Sequence, residues 1–481
     1  MPDDGTSTKT TGKIADNSAP PRFVTAASLF DGHDAAINIM RRILQSAGAE
    51  VIHLGHNRSV DEVVRAAIEE DADAIAISSY QGGHVEYFKY MIDLLKQADR
   101  AEILVFGGGG GVITAEEMQD LHDYGVRRLY SPEDGRKMGL QGLIDDMLGQ
   151  VQAAPVRQGA KSLDGLDATN HPLLARLLSQ IEVGTLPRSV ATEISRRAAA
   201  NRETPVLGIT GTGGAGKSSL TDEVIRRFHL YSHGPSIAVI AIDPTRRKTG
   251  GALLGDRIRM NALGIGNVFM RSVATRNAGS EVPGHIAPMI DACKAAGFDL
   301  IIIETPGIGQ GDTGIVPLSD VSLYVMTPEF GAASQLEKID MLDFADLIAI
   351  NKLDRKGGAD AIRDVRKQVQ RNRREFDAPV GDMPVYGTIA SRFNDPGITA
   401  LYQGITELFS CKKLTSTLAP LASKVCQPGD AIVPPDRQRY LAEIAQVIRD
   451  YHETIAAQSR IARERQQLQD SAQMLQAAGT D

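Results

Sequence analysis

Apolar and polar residues alternate in two different patterns along the first third of the chain, and together they predict a small α/β domain. Short apolar runs, which are typical of buried strands, are separated by stretches with the three-to-four-residue period of amphipathic helices. Strict alternation of strand and helix predicts a parallel sheet with helices on both faces, of the flavodoxin-like kind. The predicted strands are 22–28, 49–54, 73–78, 102–106 and 127–130, and the predicted helices are 34–48, 59–71, 84–97 and 115–125.

The pattern then changes from a polar stretch to two amphipathic segments. Residues 171–182 and 189–200 predict two helices, which we expect to pack as a hairpin that extends the following domain. The polar residues 161–170 before them are the candidate for a hinge. The expected parts of the chain are a tail at 1–20, a first domain at 21–155, a connector at 156–203, a second domain at 204–425 and a last segment at 426–481.

The second domain opens with an apolar strand at 205–210 that breaks into a glycine-rich turn and is followed by a predicted helix. Gly211, Gly216, Lys217 and Ser218 satisfy the pattern G-x-x-x-x-G-K-S/T. In this pattern backbone N–H groups and the helix dipole surround a phosphate, the lysine reaches the outer phosphates and the hydroxyl binds Mg²⁺. The flanking strand and helix favour a phosphate-binding loop over an ordinary glycine turn. The residues expected at the phosphates are Gly213, Gly214, Ala215, Gly216, Lys217, Ser218 and Ser219.

Carboxylates end two later strands of this domain. Asp243 ends an apolar strand, where a carboxylate beside a phosphate loop can hold Mg²⁺ directly or through water. The next stretch, 245–260, is basic and glycine-rich, and we expect it to be mobile. A later strand ends in Glu304-Thr305-Pro306-Gly307, which looks like the D-x-x-G switch of GTPases with glutamate in place of aspartate. Gly307 would donate its N–H to the γ-phosphate, and losing that bond on hydrolysis would release the loop.

The segment Asn351-Lys352-Leu353-Asp354 predicts which base is bound. In the N-K-x-D pattern the aspartate accepts from the ring N1–H and the exocyclic amine of guanine. Adenine would leave that carboxylate unpaired, at a cost of roughly 1–3 kcal/mol. Ser391 lies in the place of the loop that closes over the base. Asp243 could merely end a strand and Asn351 could cap a helix, but four motifs in this order predict GTP binding.

Composition narrows the classes of function. The 481 residues exceed what one core usually fills, and 42% hydrophobic with 23% charged residues is ordinary for a soluble globular protein. A formal charge of −8 argues against nucleic acid as a partner. Three cysteines without metal-like spacing fit a reducing cytoplasm. The absence of a long apolar run predicts no membrane span, and the polar residues 1–20 predict a floppy tail instead of a signal peptide.

Three loops at the carboxyl edge of the first predicted sheet carry unusual residues. The first contains Asp31 and His33, the second begins at Ser78, and the third is the glycine run 107–111. This set resembles the cobalamin-binding domain of the methylmalonyl-CoA mutase family, whose pattern is D-x-H-x-x-G, then S-x-L, then G-G. The residues that the resemblance places at cobalamin are Asp31, His33, Ser78, Gly107, Gly108, Gly110 and Gly111.

In that family the histidine is the lower cobalt ligand, and the aspartate holds its other nitrogen and fixes the tautomer. The resemblance therefore implies that His33 binds cobalt and that Asp31 orients it, while small residues let the cofactor's tail pass the backbone. Ala36 and Tyr80 replace the glycine and leucine of the pattern and could narrow that slot. The alternative for His33 is an ordinary loop histidine. Further histidines that could line the corrin or be solvated loop residues are His53, His56 and His84.

The second domain resembles the metallochaperone-like G proteins that guard cobalamin-dependent acyl-CoA mutases, through DPTRRKTGGALLGDRIRM and ETPGIGQGD. The resemblance implies that Arg259 touches the phosphates and that Lys217, Glu304 and Gly307 serve GTP hydrolysis. No glutamine follows Gly307 directly, since Gln310 lies three residues on, so we expect slow intrinsic hydrolysis that a partner accelerates. The implied Mg²⁺ residues are Ser218, Asp243, Asp256, Glu304 and Thr305.

The last segment predicts a helical arm. Pro434-Pro435-Asp436 is typical of a helix start with Asp436 as its N-cap. The apolar stripe after it fits either a helix packed on its own G domain or an arm that docks on another subunit or domain, and the Gln-rich, charged tail favours the arm. The stripe consists of Leu441, Ile444, Ile448, Tyr451 and Ile455.

The order of these parts resembles the amino-terminal half of the fused isobutyryl-CoA mutases. That resemblance implies adenosylcobalamin, GTP and Mg²⁺ as cofactors, a cytoplasmic homodimer, and a cobalamin adenosyltransferase as a further partner. It also implies radical interconversion of isobutyryl-CoA and n-butyryl-CoA on an acyl-CoA-binding barrel, which we expect in a longer form of the chain or in a separate subunit. One alternative is a non-catalytic cobalamin sensor or cofactor-delivery chaperone with a regulatory GTPase. Another is a metal-insertion GTPase, for which we would expect His- or Cys-rich tracts.

Overall fold

The computed structural model describes residues 19–245, 251–276, 282–307, 313–330, 336–421, 423–426 and 439–479. Of the predicted floppy tail, residues 1–18 lie outside these ranges. Gln310 and the predicted helix start at Pro434-Pro435-Asp436 also lie outside the described residues. The chain divides into two compact units, Met1–Val425 and Cys426–Asp481.

The first domain has the predicted alternation of strands and helices. Its strands are β1 (Arg22–Ser28), β2 (Glu50–Arg58), β3 (Ala74–Ser78), β4 (Leu104–Gly108) and β5 (Arg128–Tyr130), and its helices are α1 (Asp34–Ser46), α2 (Val60–Glu69), α3 (His84–Gln97), α4 (Ala115–Tyr124) and α5 (Pro132–Gln152). These strands pair in parallel in the flavodoxin-like order β5-β4-β3-β1-β2. Successive residues of β1 enter opposite cores, Phe23 on one face and Val24 on the other. The predicted fold of this domain is confirmed.

Side-chain caps determine where several of these helices begin. Ser59, Thr114 and Ser131 each accept a backbone N–H bond from the residue three positions on, whose carboxylate bonds back to the N–H of the cap. The last of these caps starts α5, a helix that the apolar pattern did not predict. Gly139 interrupts α5 with φ 68° and ψ 170°, so the helical period breaks in the middle of the segment.

The connector forms the predicted hairpin of α6 (His171–Val183) and α7 (Arg188–Ala200). Leu174 of α6 and Val190 of α7 are buried in the same apolar core as strands of the second domain. Leu163 and Leu166, from the stretch expected to be a hinge, are buried in that core too. The stretch is therefore anchored to the second domain, contrary to the expectation of a hinge.

The second domain is built on a second parallel sheet. This part of the chain contributes β6 (Val206–Gly211), β7 (Ile237–Asp243), β8 (Ala252–Leu254), β9 (Val268–Ala274), β10 (Leu300–Glu304), β11 (Val321–Met326), β12 (Leu347–Asn351), β13 (Val385–Thr388), α8 (Lys217–Tyr231), α9 (Ile286–Ala296), α10 (Met341–Phe344), α11 (Gly358–Arg373) and α12 (Pro396–Phe409). Within the described residues the sheet order is β13-β12-β11-β6-β10-β7-β9, with an apolar core on each face. The strand that leads into the phosphate loop, β6, thus lies at the centre of the sheet.

The strand β8 belongs to the first domain's sheet. It pairs in parallel with β2, and Ala252 lies opposite Glu50. In the described part of the chain the first sheet is therefore β5-β4-β3-β1-β2-β8. This strand and a 3-10 turn at Asp256–Arg259 give regular structure to a stretch that we expected to be mobile, so that expectation is wrong for them. Residues 246–250 of the stretch lie outside the described residues.

Buried charges join the two domains and the connector. Glu182 of α6 lies 3.2 Å from Arg22 of β1, 2.9 Å from Arg271 of β9 and 2.8 Å from Arg276. Its side chain is 2% exposed. Burial raises the pKa of this carboxyl, but the three guanidinium groups outweigh it and lower the pKa to about 2. The carboxylate is therefore ionised in the folded chain at neutral pH and holds three segments together.

The second unit consists, in its described residues, mainly of one long helix, α13 (Tyr440–Ala477). It has the predicted helical structure and carries the predicted apolar stripe. None of the described helices, α13 included, combines the length and the apolar character that crossing a membrane requires. The stripe residues are exposed: Leu441, Ile444, Ile448, Tyr451 and Ile455.

Candidate functional site

The first candidate site lies in the loop after β1. Asp31 is buried, and its Oδ1 accepts the backbone N–H of His33 and lies 2.9 Å from Nδ1 of the His33 ring. Its Oδ2 accepts the N–H of Tyr80 at 2.7 Å. The His33 side chain itself is 75% exposed. Because the carboxylate partner places the proton on Nδ1, Nε2 is the nitrogen with the free lone pair. The loop thus presents an oriented imidazole at the sheet edge.

The other predicted residues of this site lie at the same edge. Ser78 ends β3, is buried and lies opposite Gly108 of β4. The next residue, Ser79, accepts the hydroxyl proton of Ser28 at 2.9 Å, which ties the second loop to the end of β1. The rings of Tyr80 and His33 are 5.4 Å apart. The structure therefore brings the aspartate, the histidine, the serine and the glycine run together, as the sequence predicts.

The glycine run packs closely against other protein groups. A Cβ on Gly109 would collide with the carbonyl oxygen of Ser79, and a Cβ on Gly110 would collide with the ring of Tyr80. Gly110 also has a φ of 57°, in the left-handed region that favours glycine. These contacts account for glycine at both positions. The glycine run by itself is therefore no evidence for a passage that admits the cofactor's tail, and this passage stays a prediction.

Two of the three further histidines are buried. His53 is buried with Nδ1 2.9 Å from the hydroxyl of Thr25, and burial lowers its pKa to about 4. His84 is buried at the start of α3, with Nε2 3.3 Å from a carboxylate oxygen of Glu117. Neither is the solvated loop residue that the sequence allowed. His56 is exposed near the end of β2.

The second candidate site is the phosphate loop between β6 and α8. Gly216 has a φ of 89° at the start of α8, where a side chain would be strained. Lys217 donates from Nζ to the carbonyl oxygens of Gly211 at 3.1 Å and Thr212 at 3.4 Å, so its ammonium group lies across the loop. A Cβ on Gly307 would lie 2.5 Å from that ammonium group. The loop, the lysine and the switch glycine are thus together, as predicted.

The hydroxyl of Ser218 brings two of the predicted Mg²⁺ carboxylates together. Its Oγ lies 2.9 Å from Asp256 and 2.8 Å from Glu304. The other oxygen of Glu304 accepts the hydroxyl proton of Thr221 at 2.9 Å. Thr305 bonds elsewhere, since its hydroxyl donates to a threonine of β6 at 2.8 Å. Ser218 therefore lies between the carboxylate of Glu304, which ends β10, and the carboxylate of Asp256 in the 3-10 turn.

These carboxylates repel one another. Burial, and then the charge of Asp256, raises the pKa of Glu304 to about 7. Burial, and then the charges of Asp256 and Glu304, raises the pKa of Asp243 well above its ordinary value. In the described residues Oδ2 of Asp243 is buried without a hydrogen-bond partner.

In the described part of the chain no group of three or more His, Cys, Asp or Glu side chains is arranged so that it could hold a metal ion by itself. The hydroxyl and carboxylate oxygens are donors of the type that a hard cation takes, and water or phosphate would have to complete its coordination.

The predicted guanine-reading residues lie at the carboxyl end of β12. Asn351 is buried and joins two loops, because its Nδ2 donates to the carbonyl oxygen of Ala215 at 2.8 Å and its Oδ1 accepts the N–H of Ala390 at 3.0 Å. Lys352 donates from Nζ to a carbonyl oxygen of the phosphate loop at 2.7 Å. Asn351 is not the cap of the next helix, since α11 begins at Gly358 with Gly357 as its N-cap. Asp354 and Ser391, on these two loops, are exposed.

Two supporting residues were not predicted. Thr221 lies one helical turn after Lys217, a spacing that could have indicated its contact with the switch carboxylate. Asn57 accepts the backbone N–H of Phe30 at 2.8 Å, directly before Asp31. The sequence gives no sign of the second contact, because the two residues are 27 positions apart and belong to no shared motif.

The phosphate loop, the acidic segment after β10 and the N-K-x-D segment after β12 are features of a GTPase-family domain, which here follows a cobalamin-type domain. The chain belongs to the family of the methylmalonyl Co-A mutase-associated GTPase MeaB, which matches residues 174–479. Residues 21–129 match the B12 binding domain. The predicted combination of a cobalamin domain with a chaperone-like GTPase is thereby confirmed.

Curated relatives combine the same two parts in a longer protein. The chain is 61% identical over 462 residues to the fused isobutyryl-CoA mutase of Cupriavidus metallidurans, covering 95% of this chain and 42% of the relative. It is 55% identical to that of Nocardia farcinica, covering 92% and 42%, and 53% identical to that of Geobacillus kaustophilus, covering 92% and 41%. The chain thus spans less than half the length of these relatives.

Proposed function

We propose that this chain is the cobalamin-binding and GTPase portion of an adenosylcobalamin-dependent acyl-CoA mutase that interconverts isobutyryl-CoA and n-butyryl-CoA. The observation that carries the proposal is the exposed His33 ring, held by the buried Asp31, in a chain that also has a guanine-nucleotide site. Adenosylcobalamin supplies the radical chemistry when it is bound. The relatives' name, fused isobutyryl-CoA mutase, supports isobutyryl-CoA as the substrate, and a barrel that is not part of residues 1–481 would bind it.

At the cobalamin edge the residues present fit the cofactor. His33 would bind cobalt through Nε2, while Asp31 keeps the proton on Nδ1 and stays buried, so the ring can be reached without disturbing its support. The ring of Tyr80, which packs on Gly110, would have to move for a tail to pass. The residues that would line that tail are Ser78, Gly107, Gly108, Gly110 and Gly111.

At the nucleotide site the residues present fit Mg²⁺ and GTP. The mutual repulsion of the carboxylates and the buried, unpartnered oxygen of Asp243 support a divalent cation. Lys217 and Gly307 would contact the outer phosphates, Arg259 would reach them from its exposed position, and Asp354 would read guanine. The residues that would hold the cation are Ser218, Asp243, Asp256, Glu304 and Thr305.

The nucleotide state would gate loading and protection of the cofactor, and a partner would accelerate hydrolysis. Further expectations are a homodimer, a cytoplasmic location and an adenosyltransferase that delivers the cofactor. The α13 arm would dock on another subunit or domain.

One preparation tests the proposal with two readouts. Spectral titration should show adenosylcobalamin binding, and phosphate release should show GTP turnover below about 1 s⁻¹ with ATP left unhydrolysed. Faster turnover by the isolated chain would contradict the expected dependence on a partner. A preference for ATP, or no cobalamin binding, would contradict the proposal as a whole.

The Glu304→Gln variant should lose most of the effect of Mg²⁺ on GDP affinity. In the wild type Mg²⁺ should strengthen GDP binding about tenfold or more, because a cation relieves the repulsion between Glu304 and Asp256. The variant should gain less than about threefold. Calorimetric titrations with excess Mg²⁺ or with EDTA measure both, and the exposed Glu407→Gln is the matched control. An undiminished Mg²⁺ effect in Glu304→Gln would remove this carboxylate from the cation site.

A further inference from the structure

The segment Gly251–Arg259 belongs to the GTPase part of the sequence, but its first residues pack into the cobalamin domain. A Cβ on Gly251 would collide with the carbonyl oxygen of Gln45 and would lie 2.8 Å from that of Ala49, so only glycine fits here. The strand β8 then extends the first sheet beside β2. One end of the segment is therefore held by the backbone of the domain that presents His33.

At the other end of the segment, consecutive residues contact the phosphate loop and the cobalamin domain in turn. Asp256 contacts the hydroxyl of Ser218 in the phosphate loop. The next residue, Arg257, is buried in the opposite direction, where its guanidinium pairs with Glu69 of α2 and lies 3.3 Å from Glu70. The turn therefore links Asp256, at the nucleotide site, through one peptide unit to an ion pair with the cobalamin domain.

From this turn a short series of contacts leads to the loop after β1 that contains Asp31 and His33, which we call the cobalt-ligand loop. Ile258 packs on Gly55 of β2 so closely that a Cβ there would lie 2.9 Å from its Cδ1. Two residues on, Asn57 accepts the N–H of Phe30, which directly precedes Asp31. The route from the nucleotide site to the loop of the cobalt ligand is thus a series of direct contacts in one compact unit.

We propose that Gly251–Arg259 couples the nucleotide state to the cobalt-ligand loop, with Ile258 and Asn57 as positioning residues. The proposal rests on the proposed function and adds the residues that transmit it. Coupling between two binding sites is a free energy, so each ligand must change the affinity of the other by the same factor. The measurable quantity is the ratio of the adenosylcobalamin dissociation constants with Mg²⁺·GDP and with a non-hydrolysable Mg²⁺·GTP analogue.

Asn57 offers a matched pair of variants, because it is exposed and has a φ of 57° that both Gly and Asp adopt readily. Asn57→Gly removes the acceptor for the N–H of Phe30, and Asn57→Asp keeps one. We expect a wild-type ratio of about fivefold or more, a ratio within about twofold of one for Asn57→Gly, and a wild-type ratio for Asn57→Asp. Ile258→Ala should lower the ratio in the same way.

The outcomes separate this inference from the proposed function. A wild-type ratio of one with both ligands bound would overturn the coupling alone, as would a wild-type ratio in Asn57→Gly. Failure of the wild type to bind cobalamin would overturn both. Titrating the GTP analogue and GDP with and without adenosylcobalamin must return the same ratio, which checks the measurement by reciprocity.

Discussion

The Asp354→Asn variant is expected to bind GTP roughly 10²–10⁴-fold more weakly than the wild type and to gain affinity for XTP. The carboxylate of Asp354 would accept two hydrogen bonds from guanine, each worth about 1.5–3 kcal/mol because one partner is charged. An amide can instead donate to the 2-oxo group of xanthine, which replaces the exocyclic amine. Since Asp354 is exposed, the change should leave the fold intact. Competition titrations with a fluorescent guanine nucleotide measure both affinities.

The exposed Asp360→Asn, on α11 beyond the guanine-reading segment, is the control and should retain GTP affinity. Binding of XTP by Asp354→Asn shows that the variant is folded, so a loss of GTP binding can be assigned to the base. Unchanged GTP affinity would remove Asp354 from the site. Improved ATP binding without XTP binding would contradict the guanine-reading role of the whole segment.

The His33→Ala variant should lose the spectrum of cobalamin whose own base is replaced by histidine, and its cobalamin affinity should fall by about 10–100-fold or more. The ring is 75% exposed, so its removal creates no buried cavity. Asp31→Asn should show a smaller loss, because it leaves the ring in place but takes away its charged partner on Nδ1. Absorption titrations with adenosylcobalamin and hydroxocobalamin follow both changes.

His56→Ala is the control for His33→Ala, because His56 is also an exposed histidine in the first domain and no cobalt contact is proposed for it. It should keep the wild-type spectrum. GDP binding, measured on the same samples, reports whether each variant is folded. A wild-type spectrum in His33→Ala would refute the ligand assignment, and loss of the spectrum in His56→Ala alone would move the assignment to that residue.

Local patterns were enough to predict the two sheets and the order of their motifs. The strand periods, the glycines of the phosphate loop and the Asp31-x-His33 spacing are short-range features, and each element they predict is present. The pattern failed at α5, where Gly139 breaks the helical period. It did not decide between a corrin-lining and a solvated role for His53, in a predicted strand, and His84, at a predicted helix start, because burial depends on neighbours that are distant in the sequence.

The contacts that join the two domains could not be predicted from the sequence. Ala252 pairs with Glu50 from about two hundred positions away, and no local period distinguishes a three-residue strand from a loop. Arg257 lies in a basic stretch that is typical of a solvated loop, yet its carboxylate partners lie 187 and 188 positions earlier. Such pairings arise from tertiary packing, which overrides the local composition.

Electron paramagnetic resonance of cob(II)alamin bound to uniformly ¹⁵N-labelled protein shows whether a nitrogen of the protein binds the cobalt. The cofactor's own base carries ¹⁴N and splits the cobalt lines into triplets, whereas a labelled imidazole of His33 would split them into doublets. We expect doublets in the wild type and their loss in His33→Ala. Triplets in the labelled wild type would show that the cofactor keeps its own base, and would contradict the claim that this chain supplies the cobalt ligand.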